Sequence, residues 1–167
     1  LSYPQLFDRN PLMTSGNWLS TKILMPKNDP QTIMFLQAMR KISKDVYGSE
    51  GLFEASVRLQ DGDLPGRSGV VSPDTQGHFL FTAKTKEENK AKLALVDRNR
   101  NAIIDRSQIY GGIWANVNLA LGAYKDQKFG NQFTIYLNGV QKVRDDVPFG
   151  NGSVGGDGFD NLDEDSI

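Results

Sequence analysis

The chain has 167 residues, 38% of them hydrophobic, so it is long enough to bury one sizeable core and short for two. It contains no cysteine, which excludes a disulfide framework, a thiol nucleophile and a zinc-thiolate site, and it has no apolar run of membrane-helix length. The net charge of -1 is uneven: residues 157–167 carry five carboxylates and no base, which leaves residues 1–156 at +4.

The N-terminal half predicts a strand, a helix and a loop in that order. Apolar and polar side chains alternate over residues 18–26, which is typical of a strand. Asp29 then Pro30 predict a helix start, as an N-cap followed by a residue favoured in the first turn, and Gly48 predicts its end. The residues of this helix expected to face the core recur at helical spacing: Phe35, Met39, Ile42 and Val46.

The middle of the chain predicts a long loop followed by short strands. Residues 59–77 are dense in Gly, Pro and Asp, which indicates a surface loop. Residues 78–84 alternate as a second strand, and residues 93–105 contain two short β runs around a polar turn, which predicts a hairpin.

The clearest pattern is a long antiparallel hairpin with its turn at residues 125–131. Its first strand has a continuous apolar face, and the opposite face carries Trp114, Asn116 and Tyr124. The return strand turns Phe133 inward and Tyr136 outward. The hairpin therefore has one apolar face and one solvent-facing, polar face that bears aromatic rings.

Together the elements predict a mainly β protein, an OB-fold-like five-stranded antiparallel barrel with one α-helix and long loops. A β-sandwich is the alternative that the pattern leaves open. We expect one domain over residues 1–150, followed by a flexible Gly-rich linker and an acidic C-terminal tail at residues 151–167.

Aromatic rings and cationic side chains share the solvent-facing sides of these strands. Single-stranded DNA needs both, because unpaired bases stack on rings and phosphates attract Lys and Arg. Each ring could instead pack at an end of the barrel. The contacts predicted from this pattern are Trp18, Lys22, Lys84, Lys86, Arg98, Trp114, Asn116, Tyr124, Lys125 and Tyr136.

Metal and catalytic chemistry are weakly supported. Residues 97–108 have the Asp and Asn spacing of a calcium loop, but Ala102 replaces the required glycine and Gln108 the closing glutamate. We therefore interpret this segment as a hairpin turn, with calcium as a minor alternative, and predict no metal and no cofactor. The single histidine, His78, has no serine or carboxylate arranged beside it in the sequence, so we predict no catalytic residue and no enzyme.

Several motifs, taken in order, resemble a family of tailed-phage single-stranded DNA-binding proteins: LSYPQLF, ILMPKND, GHFLFTAK, IYGGIWANVNLALGAY, LNGVQKVRDDVPFG and FDNLDED. The resemblance implies an OB-fold and sequence-nonspecific binding of single strands in phage DNA replication, recombination and repair, in the host cell cytoplasm and without a membrane. It adds Lys142 and Arg144 to the predicted DNA contacts. Monomer and dimer both stay open.

The resemblance also implies that the acidic tail binds replication proteins and lowers the affinity for DNA. The tail residues predicted to do so are Asp157, Phe159, Asp160, Asp163, Glu164 and Asp165. A phage structural or protein–protein interaction module, whose outward rings form a protein interface, is the alternative function.

Overall fold

The protein is described here by a computed structural model, which describes residues 1–8 and 17–149. The predicted linker and acidic tail, residues 151–167, lie outside this range. No helix of the described part is long and apolar enough to cross a membrane. The strands are β1 Ser2–Gln5, β2 Trp18–Pro26, β3 Gln60–Asp61, β4 His78–Lys86, β5 Ala94–Val96, β6 Trp114–Asp126 and β7 Gly130–Arg144. The helices are α1 Pro30–Tyr47 and α2 Leu52–Val57, with 3-10 turns at Glu87–Lys92 and Arg106–Gln108.

All seven strands belong to one mixed sheet. Its order is β1-β2-β4-β7-β5, with β3 on β4 and β6 on β7. The mainly β class is therefore confirmed, but the five-stranded, wholly antiparallel barrel is not. β7 runs parallel to both β4 and β5, and the pairings among the described strands do not close the sheet. Hydropathy alternation reports which face a side chain takes and carries no information about the direction of a neighbouring strand.

Helix α1 has the ends that the sequence predicts. The side chain of Asp29 accepts a hydrogen bond from the backbone of Gln31, and Gly48 ends the helix with a φ of 74°. The predicted core face is wrong in part, because Ile42 and Val46 are exposed.

The buried stripe of α1 runs through Leu36 and Ser43 because the second helix covers it. α2 was absent from the prediction, which had one helix. The hydroxyl of Ser43 donates to the carbonyl of Ser49 at 2.5 Å and accepts from the backbone N–H of Phe53 at 3.1 Å. A buried polar side chain with both bonds satisfied thus joins the two helices.

The core lies between the helices and the inner face of the sheet. Phe35 stacks on Phe81 with ring centroids 5.6 Å apart, and Phe53 meets Phe133 edge-on at 6.4 Å. Phe53 and Phe133 are among the most deeply buried side chains. Since the inner face of β6 and β7 is fixed on this core, their outer face stays available to solvent.

The predicted loop between residues 59 and 77 is confirmed, apart from the two-residue strand β3. Lys27 holds its start, with Nζ 2.5 Å from Asp61 and 2.6 Å from Asp63. Between these carboxylates the backbone of Gly62 passes so close to Thr75 that a Cβ would lie 1.9 Å from its carbonyl oxygen. The loop is therefore closed onto itself.

Candidate nucleic-acid interface

The outer face of the β6–β7 hairpin carries two aromatic clusters with polar amides between them. Ala120 pairs with Tyr136 and Gly122 with Thr134, whereas Trp114 pairs with Arg144 at the far end. Paired residues of adjacent strands project to the same side of a sheet. One surface therefore runs from Trp114 to the hairpin turn.

The first cluster, which we call the Trp18 cluster, consists of Trp18, Lys84 and Tyr136. The two rings stack with centroids 6.4 Å apart and planes 27° apart, and Nζ of Lys84 lies 4.2 Å from the Trp18 centroid. Lys84 pairs with Tyr136 where β4 and β7 run parallel. This strand contact brings Trp18 next to Tyr136, although the two residues are more than a hundred positions apart in the sequence. Burial lowers the pKa of Lys84.

Gly122 allows the Tyr136 ring to lie flat against β6. A Cβ at Gly122 would stand 2.5 Å from Cε2 of Tyr136. The absence of a side chain there sets the position of the ring and, through it, the stack with Trp18.

The second cluster, which we call the Trp114 cluster, consists of Trp114, Arg144 and Asp146. The Arg144 guanidinium lies 4.6 Å from the Trp114 centroid, a cation–π contact, and Trp114 is 40% exposed. Nε1 of Trp114 donates to Oδ2 of Asp146 at 2.7 Å, and Nη1 of Arg144 is 3.4 Å from the same oxygen. The Trp114 hydrogen bond is the largest cause of a lowered pKa at Asp146, followed by the backbone N–H of Val147.

Four amide side chains lie between the clusters. Nδ2 of Asn116 donates to Oε1 of Gln141 at 3.3 Å, and Nδ2 of Asn138 donates to Oδ1 of Asn118 at 3.4 Å. The outer face of the hairpin thus carries rings and cations in the two clusters and uncharged amide side chains between them.

The other predicted cations are spread around these clusters. Lys86 pairs with Trp18 across β2 and β4 and is 3.8 Å from Glu88. Lys22 lies further along β2, opposite Thr82, on the face that carries Trp18.

Two further predicted regions lie at turns. Arg98 is exposed in the turn after β5, and its carbonyl accepts from Gln141 at 3.3 Å. Tyr124 and Lys125 are exposed at the turn end of the long hairpin, where Tyr124 pairs with Gln132. The carbonyl of Tyr124 accepts a hydrogen bond from the Tyr47 hydroxyl at 3.3 Å.

Lys142 does not belong to the outer face. It is 7% exposed, and its Nζ lies 2.7 Å from Asp145 and 3.0 Å from Oε1 of Gln108. The register of β6 and β7 shifts between Asn118 and Leu119, which turns Lys142 inward. The predicted phosphate contact of Lys142 therefore does not fit its placement.

Three neighbours of the site were not predicted from sequence: Tyr110, Gln141 and Asp146. The Tyr110 hydroxyl donates to Asp145 at 2.7 Å, and Trp114 donates to Asp146. Both carboxylates of the segment after β7 are therefore hydrogen-bonded to the rest of the protein. Gln141 faces outward through the same register shift that buries Lys142. A β-bulge leaves no clear mark in an alternating pattern, so sequence alone gives no signal for Gln141.

The segment with calcium-loop spacing is a hairpin turn, as predicted. Oδ1 of Asp97 accepts from the backbone of Asn99 and of Asn101, and Val96 bridges to Ala102. These bonds lower the pKa of Asp97. Residues 1–8 and 17–149 contain no group of three or more His, Asp or Glu side chains arranged to hold a metal ion.

Comparison with known proteins gives one family match and several structural relatives. The family described as Enterobacter phage Enc34, ssDNA-binding protein, matches residues 1–167. The resemblance to phage single-stranded DNA-binding proteins is therefore confirmed. The chain has no match among the curated proteins.

The solved structures share the fold. The single-stranded DNA-binding protein from bacteriophage Enc34, in complex with ssDNA, aligns with a TM-score of 0.69 at 23% identity over 89% of this chain and 84% of that chain. The structure of the same phage protein without a stated ligand gives 0.67 at 22% identity over 92% and 82%. Bacteriophage T7 gp2.5, a single-stranded DNA-binding protein, gives 0.58 at 17% identity over 96% and 93%.

Proposed function

Because the chain belongs to the Enterobacter phage Enc34 ssDNA-binding protein family, we propose that it binds single-stranded DNA during phage DNA replication, recombination and repair in the host cell. The observation that carries this proposal is the Trp18 cluster, in which two stacked rings and a lysine share one face. Rings of this kind accept any base on their faces, which suits binding that tolerates many sequences.

In the Trp18 cluster, Trp18 and Tyr136 stack bases and Lys84 contacts a phosphate. Each stacked base contributes about 1–3 kcal/mol to binding. The lowered pKa of Lys84 reflects lost hydration, and a phosphate placed beside its ammonium restores a favourable charge contact. Binding and protonation of Lys84 therefore support each other.

In the Trp114 cluster, Trp114 stacks a further base and Arg144 contacts its phosphate. Arg144 is exposed, and its only carboxylate partner within the described residues is Asp146, at 3.4 Å. An ion pair between exposed side chains is weak, so a phosphate can exchange with Asp146. Asn116, beside this cluster, supplies a neutral hydrogen-bonding group.

The remaining proposed contacts extend the path of the DNA strand. Lys22 and Lys86 lie near the Trp18 cluster, and Arg98, Tyr124 and Lys125 lie at the turns. Each cation that neutralises a phosphate adds to the salt dependence of binding. Lys142 is not included because its side chain is buried and its ammonium already contacts both Asp145 and Gln108.

The domain division stays a proposal: residues 1–150 bind DNA, and residues 151–167 form a linker and an acidic tail that contacts replication proteins. An OB-type barrel is the finer proposal for the fold. Its support is β7, which pairs with β4 and then with β5 while β6 follows its whole length.

Titration of the full chain with oligo-dT, followed by tryptophan fluorescence, tests the function. The chain has two tryptophans, one in each cluster, so stacked bases should quench the emission. The affinity should fall steeply with salt, by a slope of about -0.7 per phosphate contact in a log–log plot. Unchanged fluorescence and no binding at low salt would overturn the proposal and favour a protein-interaction module.

A matched pair of lysine variants sharpens this test. Lys84→Ala should lower the slope by about 0.7 and weaken binding. Lys41→Ala removes an exposed lysine of α1, paired with Asp45, and should leave the slope unchanged. Equal slopes for the two variants would remove Lys84 from the interface.

A further inference from the structure

We propose that a groove between β5, β6 and β7 is a nucleobase subsite, which makes binding depend on base identity at one position of the bound strand. The inference rests on the proposed function and adds to it a site for a base edge. The groove has a volume of about 300 Å³, and its lining includes Ala94, Arg100, Asn118, Asn138, Gly139 and Gln141.

Strand pairing fixes the shape of this groove. Gly139 pairs with Asn118 on β6 and with Ala94 on β5, so two small residues form its floor. A Cβ at Gly139 would lie 3.4 Å from the Cβ of Ala94. Because this position is already in contact with Ala94, a larger side chain at either residue would fill the groove.

The chemistry of the groove matches a base edge better than a phosphate. An amide offers both donors and an acceptor, whereas a phosphate only accepts. The lining contains one cation, Arg100, and no carboxylate. Amide side chains pair with an adjacent donor and acceptor on a base, and the pairing best known for Asn and Gln is with adenine.

The amides retain capacity for a ligand. Asn118 uses its oxygen to accept from Asn138, and its Nδ2 donates to no group of the described residues. Gln141 accepts from Asn116 at 3.3 Å and donates one of its two N–H groups to the carbonyl of Arg98 at 3.3 Å. Bonds of this length lie beyond the usual range, so a base can displace them with little loss.

The groove also lies on the path between the two clusters. Asn118 is two residues from Ala120, the partner of Tyr136, and four from Trp114. At the rise of a strand these separations are roughly 7 and 13 Å. A DNA strand stacked at both clusters therefore passes over the groove.

The test compares the binding of oligo-dA and oligo-dT of equal length and in the same salt by the wild-type chain and by Asn118→Leu/Gln141→Leu. Leucine keeps bulk and removes every hydrogen-bonding group. The Kd ratio of dT to dA should fall by about five-fold in the double variant, the lower end of the discrimination of one amide–adenine pair. Using the change in this ratio cancels the self-stacking of oligo-dA.

Gln37→Leu, on the exposed surface of α1, is the matched control and should keep the wild-type ratio. If thermal unfolding shows that the double variant is not folded, Gln141→Met is used in its place. The Kd ratio of dT to dA should again fall relative to wild type. A ratio that stays within two-fold of wild type in the folded variant overturns the subsite. The absence of any oligonucleotide binding by the wild-type chain would instead overturn the proposed function.

Discussion

Trp114 donates its indole N–H to the carboxylate of Asp146 at 2.7 Å, and the same oxygen lies 3.4 Å from Arg144. Asp146 is the second residue after the end of β7, so the chain itself places an anion on the cation and ring that we propose for DNA. These contacts lower the pKa of Asp146 below its ordinary value of 3.8, so the carboxylate keeps its charge to lower pH. Asp146 thus occupies a position in which a phosphate would find the same partners.

Asp146→Asn should therefore tighten the binding of single-stranded DNA. The amide oxygen can still accept from Trp114, while the competing charge is gone. We expect a gain of up to about five-fold at low salt, the range of an exposed ion pair, and less at high salt. Glu50→Gln, which removes an exposed carboxylate 3.7 Å from Lys44, is the control for a general charge effect. An equal gain in both variants would contradict a local role for Asp146.

Trp114→Ala should weaken binding without unfolding the protein. Trp114 is 40% exposed, so its loss removes about 1–3 kcal/mol of stacking and little core packing. Phe133→Ala, on the inner face of the same hairpin, should do the reverse and lower the free energy of unfolding by about 3–5 kcal/mol. Affinity from oligo-dT titration and stability from urea unfolding separate the two. A Trp114→Ala protein that melts early yet binds normally would mark Trp114 as a packing residue.

Gly122→Ala should disturb the Trp18 cluster through Tyr136. The new methyl group would meet the Tyr136 ring at 2.5 Å, and the ring, being a side chain, moves more easily than backbone. We expect weaker oligo-dT binding and reduced quenching, with a change in unfolding free energy of about 1 kcal/mol or less. Gly66→Ala, where a Cβ meets nothing within 4 Å, is the control. Unaltered affinity in Gly122→Ala would show that the ring position is unimportant for binding.

Elements whose signals are local could be predicted from the sequence. Residues 18–26 alternate in the manner of a strand, and the strand has those bounds. Helix α1 begins and ends where Asp29 and Gly48 predict, because capping depends on residues next to each other. The buried face of α1 was missed because α2, which covers it, has six residues and too short a pattern to recognise.

Features that depend on strand pairing could not be predicted. Trp18 and Tyr136 were both chosen from sequence, yet their stacking depends on the parallel contact of β4 with β7. Lys142 was assigned by family resemblance, and a register shift in β7 turns it into the interior. Because side chains alternate with a period of two, a shift by one residue reverses every face beyond it.

Deletion of residues 157–167 should tighten DNA binding most at low salt. This segment carries five carboxylates and no base, and a tethered polyanion competes for the cations that contact phosphates. The measurement is oligo-dT affinity of the full and shortened chains across a salt series. Equal affinities at low salt would remove the competitor role and leave partner binding as the proposed task of the tail.

Acid should weaken the fold partly through Lys27, whose contacts with Asp61 and Asp63 lower the pKa of both carboxyls below the ordinary value of 3.8. A carboxyl with a lower pKa in the folded state stabilises the fold above its unfolded pKa, and this stability is lost as the pH falls through the folded pKa. Lys27→Met should therefore be less stable than wild type at pH 7, and the two unfolding free energies should converge below about pH 4.

Urea unfolding from pH 7 to pH 2.5 measures this convergence. Lys44→Met is the control, since the carboxylate nearest to Lys44 is 3.7 Å away and both side chains are well exposed. Its stability should follow that of wild type, because a loose pair at the surface contributes little. Other carboxyls with lowered pKa, Asp97 and Asp145 among them, add to the acid sensitivity of every variant, so only the difference between curves reports on Lys27. A constant difference between Lys27→Met and wild type over the whole range would mean that Lys27 stabilises the loop through packing and not through its charge.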